Sequence, residues 1–388
     1  MKNIKYIVIL FILIGLNACS SKVSKKDPVG KKDANFENII RDGKSEPLAK
    51  IYNDHGNFIN TKQFPPIIKA ADVLSNLNNL LIIDIRSKDA YEAGHINGAY
   101  NVPKDKVLDF LKNKQKAAAY SKVVFVCYTG QMASYVTGIT RYAGFDNTYV
   151  MLYGMAGWNS EFSGIMKKGY ASKFKDMIEK AAEEHETGEA HHAETHHAVH
   201  LDKLPKLPSK LPTLLMAERA QVLLSQDRKS FLLKADEFFP EYKANPDKYL
   251  PVFYMNKAKY DAGHIKGAEL FTSRKDLSLD AKLTTLPTDK NILLYCKTGH
   301  TGGNATAYLN MLGYKAHNLM FGVHSFMYDF WKQKEWTADV SSAINDYPTV
   351  KGAKRTSAKI VAAAPKKTGN AAKPIVKRKK KEVSGGCG

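Results

Sequence analysis

Cysteine is scarce in this chain, with four in 388 residues. Cys19 and Cys387 stand near the two ends, while Cys127 and Cys296 lie far apart in the middle. No disulfide framework is legible, so each folded part is expected to depend on its own apolar core. At 44% hydrophobic content there is enough apolar sequence for two such cores. Long apolar runs are also missing. The longest candidate, Tyr6 to Leu16, is too short to span a bilayer as an ordinary helix. Acid is absent between Lys351 and Lys381, where twelve lysines and arginines are interrupted by Ala, Pro and Gly. Much of the formal charge of +20 is therefore local. A stretch of that composition buries too little apolar surface to fold alone.

What the chain does have is a repeat. Ala93-Gly94-His95-Ile96-Asn97-Gly98-Ala99 returns as Ala262-Gly263-His264-Ile265-Lys266-Gly267-Ala268, an offset of 264 − 95 = 169. Cys127 and Cys296 keep that offset, as do Gly144 and Gly313. Three landmarks in one register mark a duplicated domain with a thiol in each copy. In each, a strand-length apolar run (Val123 to Val126, Ile292 to Tyr295) delivers the cysteine into a short glycine-containing turn. Helix-forming sequence follows, over Met132–Ala143 in the first copy and Asn304–Leu312 in the second. At such a strand-loop-helix junction successive backbone N–H groups converge near the helix N-terminus, which favours a thiolate near neutral pH.

These residues resemble those of rhodanese-type sulfurtransferase domains. The resemblance rests on Asp84-Ile85-Arg86 at a strand end, the two Ala-Gly-His-Ile-x-Gly-Ala segments, the two strand-Cys-x-x-Gly loops, Gly144-Phe145 and Gly313-Tyr314, and Gly154 to Trp158. It implies an α/β fold, with a central parallel sheet flanked by helices in each copy and a cysteine that carries sulfane sulfur as a persulfide. Cys127 and Cys296 are the expected catalytic residues. The six-residue loops Cys127-Tyr128-Thr129-Gly130-Gln131-Met132, extended to Ala133, and Cys296-Lys297-Thr298-Gly299-His300-Thr301 are the expected persulfide cradles. Related phosphatases use a loop one residue longer that ends in arginine, and the shorter ring suits sulfur better. Family members often carry arginine at the sixth loop position to hold an anionic donor. Met132 and Thr301 supply no charge there, which leaves thiosulfate, polysulfide and protein persulfides all open as donors. By the same resemblance Asp84 and Arg86 form an ordering ion pair, replaced by Phe253 and Met255 in the second copy, and His95 and His264 organise structure. Trp158 reads as a core aromatic. No cofactor is required.

Outside the repeats, Lys2, Lys5, the Tyr6–Leu16 stretch and Leu16-Asn17-Ala18-Cys19 resemble a bacterial lipoprotein signal, with Cys19 as the lipidated residue. The implied site is the bacterial cell envelope, with Ser20 pointing to the outer membrane, on its periplasmic face or surface. The expected organisation is a signal over 1–18, a tether and extension over 19–64, a first domain over 65–170, a linker over 171–213, a second domain over 214–347 and a basic tail over 348–388. Within the linker, Lys173 to Glu186 has helical composition. His192, His196 and His200 would share a helix face and chelate a divalent metal, and a Pro-rich stretch to Pro212 would hold the domains apart. The tail would attract an anionic surface, small sulfur anions or an acidic protein, and nucleic acid is not an expected partner for an envelope protein. Cys387, flanked by glycines, is a candidate sulfur acceptor. Two functions follow: a lipid-anchored tandem sulfurtransferase, or a non-catalytic binding lipoprotein beside a surface redox or metal-handling complex.

Overall fold

The computed structural model describes residues 48–113, 120–181, 201–207 and 212–353. Cys19 with the expected signal, the trio His192, His196 and His200, and Cys387 with most of the basic tail lie outside the described residues.

Each copy builds a five-stranded sheet in which every neighbouring pair is parallel. The first contains β1 (Ile67–Ile68), β2 (Leu80–Asp84), β3 (Tyr100–Asn101), β4 (Lys122–Val126) and β5 (Thr148–Met151), in the order β1-β5-β4-β2-β3. Between the sheets in sequence comes a short β6 (Ile178–Glu179). The second sheet uses β7 (Leu232–Leu233), β8 (Tyr249–Phe253), β10 (Glu269–Leu270), β11 (Asn291–Tyr295) and β12 (Lys315–Leu319), in the order β10-β8-β11-β12-β7, with β9 (His264–Ile265) outside it. Read from the other edge, this is the same topology. Asp84 pairs with Val126 as Phe253 pairs with Tyr295, so the sequence offset of 169 is also the register of the central strands. All five residues of β2 are buried. A strand covered on both faces needs an unbroken apolar run, which Leu-Leu-Ile-Ile provides.

The helices that follow the cysteines span Gln131–Tyr142 and His300–Met311. The second begins four residues before the expected Asn304, and packing overrides propensity there. Gly302 and Gly303 look like helix breakers, yet a Cβ on Gly302 would run into Asn318 Oδ1, and one on Gly303 would come within 3.0 Å of Ser134 Cβ. The two helices lie against each other. Gly138 faces Ala307, with room for only a hydrogen between them, since a Cβ at 138 would sit 2.5 Å from that of Ala307. Ser134 meets Gly303 in the same way. Each position meets its own equivalent 169 residues on, the pattern of a self-complementary interface about a twofold axis.

This contact corrects the expectation of separate cores held apart by a spacer. One apolar cluster, with Val73, Ile82, Val124 and Trp158, belongs to the first copy, and another, with Phe238, Phe253, Tyr295 and Trp331, to the second. A third draws on both, joining Ile83, Phe125, Tyr135 and Ile139 to Ile292, Leu294 and Leu309. The cause is that both loop helices are buried almost all round, which one sheet face alone cannot achieve.

The expected boundaries move for the same reason. Residues 48–64, assigned to the extension, start with a helix at Leu48–Asp54, and Tyr52 packs its ring 4.8 Å from that of Tyr142 and 6.1 Å from that of Tyr308. Its counterpart is the helix Pro212–Ser225, which starts inside the expected linker. Leu204, in the Pro-rich stretch, is buried in the shared core. Lys173–Glu186 does not form the expected helix over its described part. It makes a 3₁₀ turn and then β6, which pairs antiparallel with β9 of the second copy. The chain after the second copy returns to the first: His95 and Val350 exchange backbone hydrogen bonds at 3.0 Å, and Trp158 Nε1 donates to Pro348 O at 3.0 Å. Each copy is thus strapped by the segment that follows the other. No helix among the described residues is long and apolar enough to cross a membrane.

Candidate active site

β4 ends at Val126 and delivers Cys127 into a turn whose last residue, Gly130, has φ +91° and begins the loop helix. The turn directs backbone N–H groups at one atom. Gly130 N lies 3.1 Å and Ala133 N 3.4 Å from Cys127 Sγ, and Thr129 N–H also points there. In the second copy Gly302 N donates to Cys296 Sγ at 3.2 Å.

Both thiols are deeply set, at 3% exposure. For Cys127 this corrects the expectation of a thiolate near neutral pH. Burial raises its pKa above the ordinary value, outweighing the lowering by the N–H groups of Ala133, Thr129 and Gly130, and nearby Asp84 raises it further. The resting group is a thiol beside a ring of amides that favours its charged form without outweighing burial.

A second turn holds the first. Met155 N donates to Cys127 O and Ala156 N to Tyr128 O, both at 2.9 Å, and Val323 N donates to Cys296 O at 2.9 Å in the other copy. Gly154 (φ +53°) and Gly322 (φ +54°) allow this approach, because a Cβ on either would run into the cysteine's carbonyl oxygen. Gly322 was not singled out in the sequence. Its signal was present as a glycine 168 residues after Gly154.

Asp84 and Arg86 form a bidentate pair, Nη2 to Oδ2 at 2.6 Å and Nε to Oδ1 at 3.0 Å, with both side chains 1% exposed. Arg86 Nη2 also donates to Gly94 O at 2.7 Å, tying the end of β2 to the Gly94-His95 turn. In the second copy Phe253 stands edge-on to Tyr295 at 5.3 Å, and the Tyr295 hydroxyl accepts from Ile265 N at 2.9 Å. An aromatic contact and one phenol there replace an ion pair. His95 and His264 occupy matching places: each has Nδ1 2.8 Å from the carbonyl four residues back (Tyr91, Tyr260) and stacks on that tyrosine at 3.6 and 3.7 Å. Both lie against the strap contacts, His95 paired with Val350 and His264 with Glu179.

The loop positions divide. Tyr128 is 42% exposed, its hydroxyl 3.3 Å from Ser87 Oγ and its ring 5.7 Å from the Arg86 guanidinium, and it marks the rim of the first cradle. Lys297 at the same position turns aside to donate to Trp336 O at 2.7 Å. Thr129, Thr298 and Gly299 are buried, while Met132 and Thr301 are half-buried and uncharged. Gln131 and His300, expected in the cradles, instead turn their side chains toward the opposite copy. Gln131 Nε2 donates to Thr298 O at 3.0 Å, and His300 Nε2 accepts from Tyr153 N at 3.1 Å. Among the described residues no group of three or more His, Cys, Asp and Glu is placed to hold a metal ion.

The Rhodanese-like domain family matches the chain at residues 69–161 and again at 254–328. A thiosulfate sulfurtransferase GlpE of Pseudomonas entomophila is 33% identical over 91 residues, covering 24% of this chain and 81% of that protein. The thiosulfate sulfurtransferase GlpE of Pseudomonas putida is 28% identical over 110 residues, 28% of this chain and 96% of the relative. Among solved structures, a thiosulfate sulfurtransferase from Pseudomonas aeruginosa matches 70% of this chain and 46% of its own, at 15% identity and a TM-score of 0.25. With two matched regions and a relative spanned over most of its length, this chain belongs to the rhodanese-like family and carries the domain twice.

Proposed function

We propose that the protein is a sulfurtransferase that carries sulfane sulfur as a persulfide on Cys127, with Cys296 as a second carrier. The observation that supports this most is the convergence of the Thr129, Gly130 and Ala133 N–H groups on Cys127 Sγ. These donors are fixed before any charge develops, so they favour an anionic terminal sulfur with little reorganisation. In the forward step the Cys127 thiolate attacks the outer sulfur of the donor and a new S–S bond forms. The donor's own bond to that sulfur breaks, and its electron pair leaves with sulfite or a shortened polysulfide. A nucleophilic acceptor then takes the outer sulfur and restores the thiolate, giving ping-pong kinetics. Because the resting group is protonated at neutral pH, loading should accelerate as pH rises.

The test is sulfur transfer to cyanide from thiosulfate and from polysulfide, with Cys127→Ser and Cys296→Ser compared against the wild type. Loss on Cys127→Ser supports the reading. No transfer by the wild type from any donor favours the other reading, a rhodanese-fold docking protein. That alternative draws on the absence of charge at Met132 and Thr301 and on the replacement of the Asp-x-Arg pair by Phe253 and Met255.

The proposal extends to location. The Leu16-Asn17-Ala18-Cys19 segment supports acylation at Cys19, anchorage in the bacterial envelope and action on sulfur anions outside the cytoplasm. Radiolabelled palmitate should enter the wild type, and its equal entry into Cys19→Ala would end this part of the reading. Metal binding at His192, His196 and His200, sulfur acceptance at Cys387 and an acidic partner for the tail stay as proposals carried by sequence alone.

A further inference from the structure

The fifth residue of each cysteine loop serves the opposite loop. His300 belongs by sequence to the Cys296 loop, yet its imidazole lies against Gly130, where any side chain would strike Nε2. Tyr153 N–H donates to Nε2 at 3.1 Å. A backbone amide can only donate, so Nε2 is the bare nitrogen and the proton sits on Nδ1, which donates to Thr298 Oγ1 at 2.9 Å. Tyr153 is strained at φ +63° and leads directly into Gly154, Met155 and Ala156, the turn that grips the carbonyls of Cys127 and Tyr128. The reciprocal tie runs through Gln131, whose Nε2 donates to Thr298 O at 3.0 Å while its Oε1 accepts from Thr129 Oγ1. Ser134 Oγ donates to His300 O at 2.7 Å and accepts from Asn304 Nδ2 at 2.7 Å, closing the seam between the helices.

We propose that His300 is a positioning residue for Cys127: a neutral imidazole from the second copy holds the Tyr153–Ala156 turn, and through it the amide ring around the first thiol. The first site is then incomplete without the second domain, even if Cys296 itself never turns over. Only the consequence for catalysis rests on the persulfide function; the positioning does not. Replacing His300 by leucine takes the acceptor from the half-buried Tyr153 N–H, and the turn relaxes away from Cys127. Gln in its place offers a carbonyl oxygen near the position of Nε2 and an amide for Thr298, so it should restore the contact.

The experiment follows alkylation of Cys127 by iodoacetamide in the full chain, site by site by mass spectrometry, between pH 7 and 11. It compares wild type, His300→Leu, His300→Gln and Gln131→Leu. Wild type and His300→Gln should share one pH profile. His300→Leu should shift the Cys127 midpoint by a pH unit or more, with loss of persulfide loading by polysulfide of about tenfold. An unchanged Cys127 profile in a folded His300→Leu protein overturns the proposal, as does failure of His300→Gln to differ from His300→Leu. Should His300→Leu not fold, the comparison of His300→Gln with Gln131→Leu decides. Gln131→Leu, which removes the tie to Thr298 O and the acceptor for Thr129 Oγ1 but leaves the His300–Tyr153 bond, should keep the Tyr153–Ala156 turn in place and shift the Cys127 midpoint by less than a pH unit, and a shift as large as that expected of His300→Leu is again contrary. Absence of persulfide in the wild type would count against the sulfurtransferase reading alone, because alkylation reports the thiol's surroundings directly.

Discussion

The first copy closes the end of its second strand with Asp84 and Arg86, and the second closes the same place with Phe253, Tyr260 and Tyr295. The backbone hardly registers the exchange, for strand order, register and the hold on the cysteine carbonyl are the same. A buried ion pair is therefore one of two ways to fasten this corner. Its chemical effect is local: the Asp84 charge contributes to raising the Cys127 pKa.

The sharpest way to break the comparison is to fill the glycines behind the thiols. Gly154→Ala should abolish sulfur loading at Cys127, and Gly322→Ala should do the same at Cys296, each leaving the other site more active. Persulfide mapping reads both, and equal loss at both sites from either change would mean that the loops collapse together. Next in size, Arg86→Met strands a buried carboxylate and should cost about 3–5 kcal/mol in denaturant unfolding. The double change Asp84→Phe with Arg86→Met copies the second domain and should cost clearly less.

Acid is the third lever. Burial pushes the His300 pKa down to about 4 and that of His324, whose ring nitrogens have no hydrogen-bond partner among the described residues, down to about 3. The unfolded chain takes up these protons near pH 6.5, while the folded one refuses them until the lower values. Stability should fall as pH drops from about 6.5 through 4, and His300 alone would account for roughly 3 kcal/mol. In His300→Gln that part of the loss should vanish from melts recorded across the window. The smallest expected effect is at the seam. Gly138→Ala presses a methyl against Ala307 and should cost about 1–3 kcal/mol, with both cysteine sites affected alike.

The duplication, the strand-turn-helix around each cysteine and the family were legible in the sequence, because the short motifs that recur 169 residues apart and the apolar runs before the cysteines are local signals. The orientation of the copies was not. Gln131 and His300 look like any other loop residues until the helices are laid together, and Gly138 has no meaning in a helix read alone. The start of the second loop helix was placed too late for the same reason, since the space that Gly302 and Gly303 leave is used by Asn318 and Ser134 from other elements. The helix Leu48–Asp54 was invisible because seven residues give too few turns for a periodic pattern, and its stability comes from the tyrosines it meets. The protonation of Cys127 was misjudged because the cue for converging amides carries no cue for burial.

The exchanged straps bear on how the molecule would survive being cut. A nick between residues 182 and 200 severs one covalent thread, yet β6 would still be paired with β9, and Val350 with His95. The two polypeptides should remain together like the subunits of a dimer. Produced separately and mixed, they should find each other again, as befits a chain whose halves were built to embrace.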